Sequence, residues 1–117
     1  MTLQHTVLFA FSADLSNADA EEMRDQIHSW PQTIGGINII RFGEDITGAR
    51  TKGHQYMLYT EFDDSAALQA YREHPVHRRF LKWAVDHGCS PLAFDYDINQ
   101  DTVIWPRLSA NLPKDKS

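Results

Sequence analysis

Residues 71–77 of the chain are Tyr-Arg-Glu-His-Pro-Val-His, and this stretch sets the layout of the second half of the molecule. Proline suits the first turn of a helix, where its missing N–H is not needed. The sequence therefore predicts one helix that ends near Tyr71 and another that begins at His74 and Pro75. Since residues three or four apart share a helix face, this kink can turn Tyr71, His74 and His77 toward one spot.

Two interpretations of these side chains stay open. Histidine is the side chain most easily poised for proton transfer near neutral pH, so His77 can serve as a base with Tyr71 as a hydrogen-bond donor. In the alternative, His74 caps the second helix and His77 packs against a sheet. No phosphate loop, oxyanion loop or metal-binding motif accompanies the stretch, so the sequence predicts neither a cofactor nor a metal.

Working outward from this stretch, strand and helix patterns follow one another in the order β-α-β-β-α-β. This order predicts an α+β fold of the ferredoxin-like type, with one antiparallel sheet and two helices on one of its faces. The predicted strands cover residues 4–12, 37–46, 54–62 and 91–98; the predicted helices run from Ser16 to Pro31 and from Asp63 to about His87, with the kink at Pro75.

The other face of that sheet has no helix to cover it. We expect this face to carry Thr6, Leu8, Ala10, Ile40 and Tyr59. Because large apolar patches on soluble proteins mark contact sites, the sequence predicts a homodimer in which two sheets close into an α+β barrel. Residues 99–117 are predicted to form a C-terminal tail that packs partly on the partner subunit through Val103, Ile104 and Trp105, with residues 113–117 disordered.

Composition excludes several classes of partner. The chain has 117 residues, enough for one domain, and a net charge of -5, which argues against nucleic acid. The apolar runs are too short to span a bilayer, so no membrane association is expected. The single cysteine, Cys89, cannot form an internal disulfide and suits a cytoplasmic location. Its neighbours Gly88, Ser90 and Pro91 predict a turn and not a catalytic thiol.

The chain resembles the stress-responsive A/B barrel family, also called Dabb domains, over residues 4–97. Several motifs carry the resemblance: His5 at the head of an apolar strand, Phe42-Gly43-Glu44-Asp45, Glu61-Phe62, residues 71–77, and Phe94-Asp95-Tyr96. The resemblance implies a dimeric α+β barrel, and it predicts that residues 1–98 form the domain.

The resemblance also implies a site between the sheet and its helices. In a plant polyketide cyclase of the family, a catalytic histidine and tyrosine align with His77 and Tyr71. Other residues of that cyclase's pocket align with His5, Val7, Phe9 and Leu58. Arg24 and Ile27 replace the aromatic residues that hold the cyclase's alkyl tail, so the pocket is predicted to be more polar and differently shaped.

Taken together, these residues predict a cofactor-free enzyme that acts on a small molecule by cyclisation, isomerisation or lyase chemistry. His77 and Tyr71 are the predicted catalytic pair. The predicted substrate-binding residues are His5, Val7, Phe9, Arg24, Ile27, Leu58 and His74. The alternative is a non-catalytic ligand-binding or stress-protective dimeric barrel, in which the same residues only stiffen the kink.

Overall fold

The computed structural model describes residues 1–106, and its elements follow the predicted order. The strands are β1 (Leu3–Phe11), β2 (Ile39–Glu44), β3 (His54–Phe62) and β4 (Cys89–Asp97); the helices are α1 (Asn17–His28), α2 (Trp30–Thr33), α3 (Ser65–Glu73) and α4 (Pro75–Asp86). The strands form one antiparallel sheet in the order β2-β3-β1-β4. The predicted ferredoxin-like α+β fold is therefore confirmed. Within residues 1–106, no helix is long and apolar enough to cross a membrane.

The first helical region is divided in two, which the sequence did not predict. The side chain of Ser16 caps α1 by accepting a hydrogen bond from the backbone N–H of Asp19, as expected of a serine at this position. The helix ends at His28, and α2 begins at Trp30 with Pro31 in its first turn. Pro31 therefore starts a short helix where it was predicted to stop a long one, since proline fits a first turn well.

The kink before Pro75 forms as predicted. Asp64 caps α3 by accepting from the backbone N–H of Ala67, and α3 continues to Glu73, two residues past Tyr71. His74 has extended backbone angles, and its Nδ1 accepts a hydrogen bond of 3.1 Å from the N–H of Val76 at the start of α4. This part of the alternative interpretation is confirmed, because His74 is the cap of α4.

The register of the sheet decides which side chains face the helices. Val7 of β1 pairs with Leu58 of β3, and Phe9 pairs with Tyr56; these residues lie on the helix-covered face. Ile40 pairs with Thr60 on the same face and packs against the core, so its predicted place on the uncovered face is wrong. Since neighbouring residues of a strand point to opposite faces, an error of one residue in register reverses every side chain of the strand.

The uncovered face of the sheet is broad and mostly apolar. We call it the open face; it comprises the polar residues Gln4, Arg41 and Glu61 together with Thr6, Leu8, Ala10, Ile39, Gly43, Met57, Tyr59, Leu92, Phe94 and Tyr96. Phe94 is 66% exposed and Leu92 is 55% exposed. Beyond the sheet, Val103 and Trp105 are also exposed. The predicted disorder of residues 113–117 lies outside the described residues.

The last strand begins earlier than predicted. Cys89 was expected in a turn, but it is the first residue of β4, where it pairs with Phe11 and is buried. The turn is made by His87 and Gly88. Gly88 has a φ of +82°, and a Cβ atom at this position would collide with the side chain of Ser12. Burial raises the pKa of the Cys89 thiol to about 11, which keeps it protonated and unreactive near neutral pH.

Candidate active site

A cavity of about 240 Å³ lies between the sheet and the helices. It is lined by six of the residues singled out in the sequence: His5, Val7, Phe9, Leu58, Tyr71 and His77. The strand residues reach it because they share the helix-covered face of the sheet, and the helical residues reach it from the two sides of the kink. Larger concave regions lie on the molecular surface, but this cavity is the one that brings the predicted catalytic pair together.

The remaining predicted binding residues lie elsewhere. Arg24 and Ile27 line a separate groove between α1 and β2, together with Phe42. His74 caps α4, because its Nδ1 accepts a hydrogen bond from the N–H of Val76. The prediction that these three residues share one pocket with His77 is therefore not met, because α1 packs beside β2 and the cavity forms under α3 and α4.

Tyr71 and His77 are in direct contact inside the molecule. Their ring centroids are 4.4 Å apart, and Tyr71 is fully buried. No described residue forms a hydrogen bond with its hydroxyl group. Burial raises the pKa of the Tyr71 phenol, so the hydroxyl stays protonated and remains a hydrogen-bond donor. A buried donor without a partner costs about 1–3 kcal/mol, which makes this position a candidate contact for a ligand oxygen.

His77 is held as a neutral imidazole. Its Nδ1 lies 3.3 Å from the carbonyl oxygen of Arg72, and because a carbonyl only accepts, Nδ1 must carry the proton. Burial lowers the pKa of His77 to about 4, so the ring is uncharged at neutral pH. Its Nε2 then carries a free lone pair and has no hydrogen-bond partner among residues 1–106. These are the properties that a base in this cavity requires.

His5 belongs to a polar chain that crosses from β1 to α3. Its Nδ1 is in direct contact with Oδ1 of Asp95, which pairs with His5 in the register of β1 and β4. The other oxygen of Asp95 accepts a hydrogen bond of 2.9 Å from Arg72. The ring of His5 lies edge-on to Tyr71 at 6.1 Å. Two imidazoles and one phenol thus share the cavity.

Three further residues of this site carry no functional prediction from the sequence: Asp95, Arg72 and Trp30. Asp95 was noticed only as part of a family motif, and the signal that could have found it is its position opposite His5 on the neighbouring strand. Arg72 follows Tyr71 in the same stretch and also lines the cavity. Trp30 is a core residue that contacts both Tyr71 and His77, with centroid distances of 5.7 and 5.4 Å. Its indole N–H is buried and has no partner among the described residues.

The rest of the cavity wall is apolar, with Phe80, Leu81 and Ala93 beside the strand residues already named. Within residues 1–106, no group of three or more histidine, cysteine, aspartate or glutamate side chains is arranged to hold a metal ion. The titratable side chains that line the cavity are the imidazoles of His5 and His77, the phenol of Tyr71 and the guanidinium of Arg72.

Comparison with known proteins agrees with the fold. The family model described as the stress responsive A/B barrel domain matches residues 3–98. No curated protein matches the chain. Among solved structures, a dimeric protein of unknown function with a ferredoxin-like fold from Bacteroides fragilis is 24% identical, with a TM-score of 0.71, and the match covers 82% of this chain and 95% of that one.

Two further structures are similar. A dimeric ferredoxin-like protein of unknown function from Thermobifida fusca is 21% identical, with a TM-score of 0.70, over 82% of this chain and 90% of that one. The hydroxynitrile lyase from Passiflora edulis is 16% identical, with a TM-score of 0.75, over 86% of this chain and 95% of that one. At these identities the likeness concerns the fold.

Proposed function

We propose that this chain, which belongs to the stress-responsive A/B barrel family, is a cofactor-free enzyme that performs acid–base chemistry on a small carbonyl compound. The observation that supports the proposal is that His5, Tyr71 and His77 line one cavity whose other lining residues, apart from Arg72, are apolar. In such a site, hydrogen-bond donors and bases act more strongly than they do in water, because the low dielectric does not screen them.

His77 and Tyr71 divide the first step between them. The neutral Nε2 of His77 removes a proton from the carbon next to the carbonyl group, and the Tyr71 hydroxyl donates a hydrogen bond to the oxygen on which negative charge develops. General acid–base help of this kind is worth roughly 10²–10⁴ in rate. The resulting enolate can close a ring, shift a double bond or expel a neighbouring group, which are the cyclase, isomerase and lyase outcomes.

The environment of His77 narrows the substrate class. A base whose pKa is about 4 is weak, so it abstracts efficiently only those protons that are already acidic. Carbon flanked by two carbonyl groups meets this condition. The cavity volume of about 240 Å³ is also below the ~300–1,000 Å³ of pockets that hold drug-sized ligands. The proposed substrate is therefore a small, mostly apolar 1,3-dicarbonyl compound or a close analogue.

Exchange of carbon-bound protons with D₂O tests this function before the natural substrate is known. The protein is incubated with a panel of small 1,3-diketones and β-keto esters, and with hydroxynitriles because one structural neighbour is a hydroxynitrile lyase. Proton NMR is expected to show faster exchange or cleavage for some members with the natural sequence, and loss of this effect in His77→Ala. The exposed His28 supplies the control variant His28→Ala, which should behave like the natural protein.

The second candidate function is a non-catalytic ligand-binding barrel. The aromatic contacts among Trp30, Tyr71 and His77 favour it, because they also fit a packed core whose polar atoms do no chemistry. A panel on which the protein accelerates no exchange, although ligands shift the NMR signals of cavity residues, would select this function over catalysis.

We also propose a two-fold homodimer that buries the open face. The apolar character of that face supports the proposal, as does the fact that neighbours from Bacteroides fragilis and Thermobifida fusca are described as dimeric. Sedimentation at micromolar concentration is expected to give about twice the 13.4 kDa of one chain. Phe94→Glu should shift the protein to monomer, because it places a charge in the contact.

The matched control for that variant is Val85→Glu. Val85 is 63% exposed, close to the 66% of Phe94, but it lies on α4 and not on the open face. This variant should sediment like the natural protein. A single species of 13.4 kDa for the unsubstituted chain would contradict the dimer.

The tail is proposed to reach the partner subunit. Trp105 is 90% exposed within one chain, and a tryptophan that enters a pocket of a partner often contributes about 2 kcal/mol or more to binding. Trp105→Ala should therefore weaken the dimer about 30-fold while leaving the unfolding of a single domain nearly unchanged. Dilution series followed by sedimentation measure the first effect, and circular dichroism measures the second. Equal dimer dissociation constants for the natural protein and Trp105→Ala would show that Trp105 does not contact the partner subunit.

The cellular setting is a proposal of the same kind. One buried, unreactive cysteine suits a reducing compartment, so we propose the cytoplasm. The net charge of -5 gives no support to a nucleic-acid partner.

A further inference from the structure

We propose that Arg72 and Asp95 are positioning residues that hold His5 as a second proton-transfer group of the cavity. The inference rests on the proposed function and deepens it, because it assigns separate tasks to the two imidazoles. The residues concerned come from three different elements: His5 from β1, Arg72 from α3 and Asp95 from β4.

The sheet brings the carboxylate to the imidazole. His5 and Asp95 are direct partners in the antiparallel pairing of β1 and β4, so both side chains leave the sheet on the helix-covered face. The Nδ1 atom of His5 touches Oδ1 of Asp95, and the His5 side chain is only 6% exposed. A carboxylate is an acceptor only, and Nδ1 must therefore carry a proton and donate it.

Arg72, in the last turn of α3, holds the carboxylate of Asp95 in place. An N–H of the Arg72 guanidinium donates to Oδ2 of Asp95 at 2.9 Å, so both oxygens of Asp95 are engaged and its plane cannot rotate freely. The Arg72 side chain is 43% exposed, and ion pairs this open to water contribute only about 0–1 kcal/mol to stability. The contact between Arg72 and Asp95 therefore orients the carboxylate more than it stabilises the fold.

The contact with Asp95 fixes the neutral ring of His5 in the tautomer that is protonated at Nδ1. With Nδ1 committed to Asp95, the atom left for the cavity is Nε2, which accepts a proton when the ring is neutral and donates one when the ring is charged. The carboxylate is then a hydrogen-bond partner for the charged ring as well. His77 differs, because its Nδ1 faces an uncharged carbonyl oxygen and its ring is buried beside Trp30 and Tyr71.

The two environments suit opposite tasks in one step. The C–H bond breaks as its proton moves to Nε2 of His77, and its electron pair forms the carbon–carbon double bond of an enol. The carbonyl π pair moves to oxygen, which takes a proton from Nε2 of charged His5. His77 gains one proton and His5 loses one, so the step balances, and the reverse transfer restores both rings. Pairs of titratable groups in contrasting environments commonly divide acid and base roles in this way.

Nitrogen NMR of the histidine rings tests the positioning without any substrate. In the full-length protein labelled with ¹⁵N-histidine, the neutral form of His5 is expected to be protonated at Nδ1. In Asp95→Ala it should convert to the Nε2-protonated tautomer that free histidine favours. Asp95→Asn keeps an oxygen acceptor and should retain the natural tautomer, which also guards against a folding defect in the alanine variant. An Nε2-protonated His5 in the natural protein, or no change in Asp95→Ala, overturns the positioning.

The contribution of Arg72 needs its own variant and a matched control. Arg72→Met removes the guanidinium but keeps an apolar stem, and it should give His5 a mixture of tautomers. Lys82 and Asp86 form another exposed ion pair of 2.9 Å on α4, away from the polar chain. Lys82→Met should therefore leave the His5 signals unchanged. Identical His5 spectra in Arg72→Met and the natural protein would remove Arg72 from the proposal.

Kinetics then test the proton-transfer role. With a compound found by deuterium exchange, Asp95→Ala should lower kcat about tenfold or more with a smaller change in KM, and Asp95→Asn should lose less. A normal kcat in Asp95→Ala, together with an altered tautomer, overturns the role of His5 in proton transfer. Absence of any turnover by the natural protein is a failure of the proposed function, and the NMR result alone then decides whether His5 is positioned.

Discussion

Replacing His77 by alanine is expected to lower kcat by a factor on the order of 10² or more, on any compound that the natural protein turns over. The reason is that His77 provides the neutral Nε2 lone pair of the cavity, and water is a poor substitute for a positioned base. Steady-state kinetics measure the effect. Because the base acts only as the proton moves, kcat should fall while KM changes little.

Tyr71→Phe separates the roles of the pair. It keeps the aromatic ring beside His77 and removes only the hydroxyl group, so we expect a smaller loss of kcat than in His77→Ala. The buried hydroxyl has no partner among residues 1–106, so its removal should not destabilise the fold. Unchanged turnover in His77→Ala, with a correctly folded protein, would leave only the ligand-binding function.

The sequence predicted the fold wherever a local pattern carried the information. Strand β3 follows a regular alternation, with Tyr56, Leu58 and Thr60 on the buried face, and its predicted bounds match the structure. The kink before α4 was predicted because Pro75 restricts the backbone in a known way. The alternation in β3 and the kink at Pro75 both depend only on residues that are neighbours in the chain, so the sequence alone is enough to predict them.

The errors in the fold occurred where local patterns are ambiguous. Ile39 and Ile40 are adjacent and equally apolar, so composition cannot tell which of them faces the helices; pairing with β3 decides it. Pro31 is compatible with both the end of one helix and the start of another. At Cys89, turn-forming neighbours concealed the beginning of a strand, because the turn of His87 and Gly88 ends just before it.

The candidate site was predicted in part for a similar reason. Tyr71 and His77 belong to one short motif, and His5 was added by resemblance to a family. The Asp95 carboxylate is 90 residues from His5 along the chain, and only the register of β1 and β4 brings the two side chains together. The resemblance places Arg24 and Ile27 in the pocket of His77, but in the structure these two residues line a separate groove beside β2.

The buried state of His77 also predicts how folding depends on pH. Burial lowers the pKa of His77 to about 4 in the folded protein, from an ordinary value of 6.5. The hydrogen bond to the backbone of Arg72 opposes this shift, whereas the charges of His5, Arg72 and His74 add to it. Between these two values the unfolded chain binds more protons than the folded one, so the free energy of unfolding rises with pH. The contribution of His77 to the free energy of unfolding is complete above about pH 6.5 and is lost as the pH falls toward 4.

In full, the contribution of His77 amounts to about 3–4 kcal/mol, since the shift is about 2.5 pKa units and each unit corresponds to ~1.4 kcal/mol. Urea unfolding at pH 7, 5.5 and 4.5 measures it for the natural protein and for His77→Asn, which is polar but does not titrate. The variant should lose less stability on acidification, because the protonation of His77 no longer favours unfolding. His28→Asn should keep the natural slope, since His28 is exposed. Parallel pH profiles for the natural protein and His77→Asn would show that His77 is not held neutral by burial, and would remove the physical basis for its role as a base.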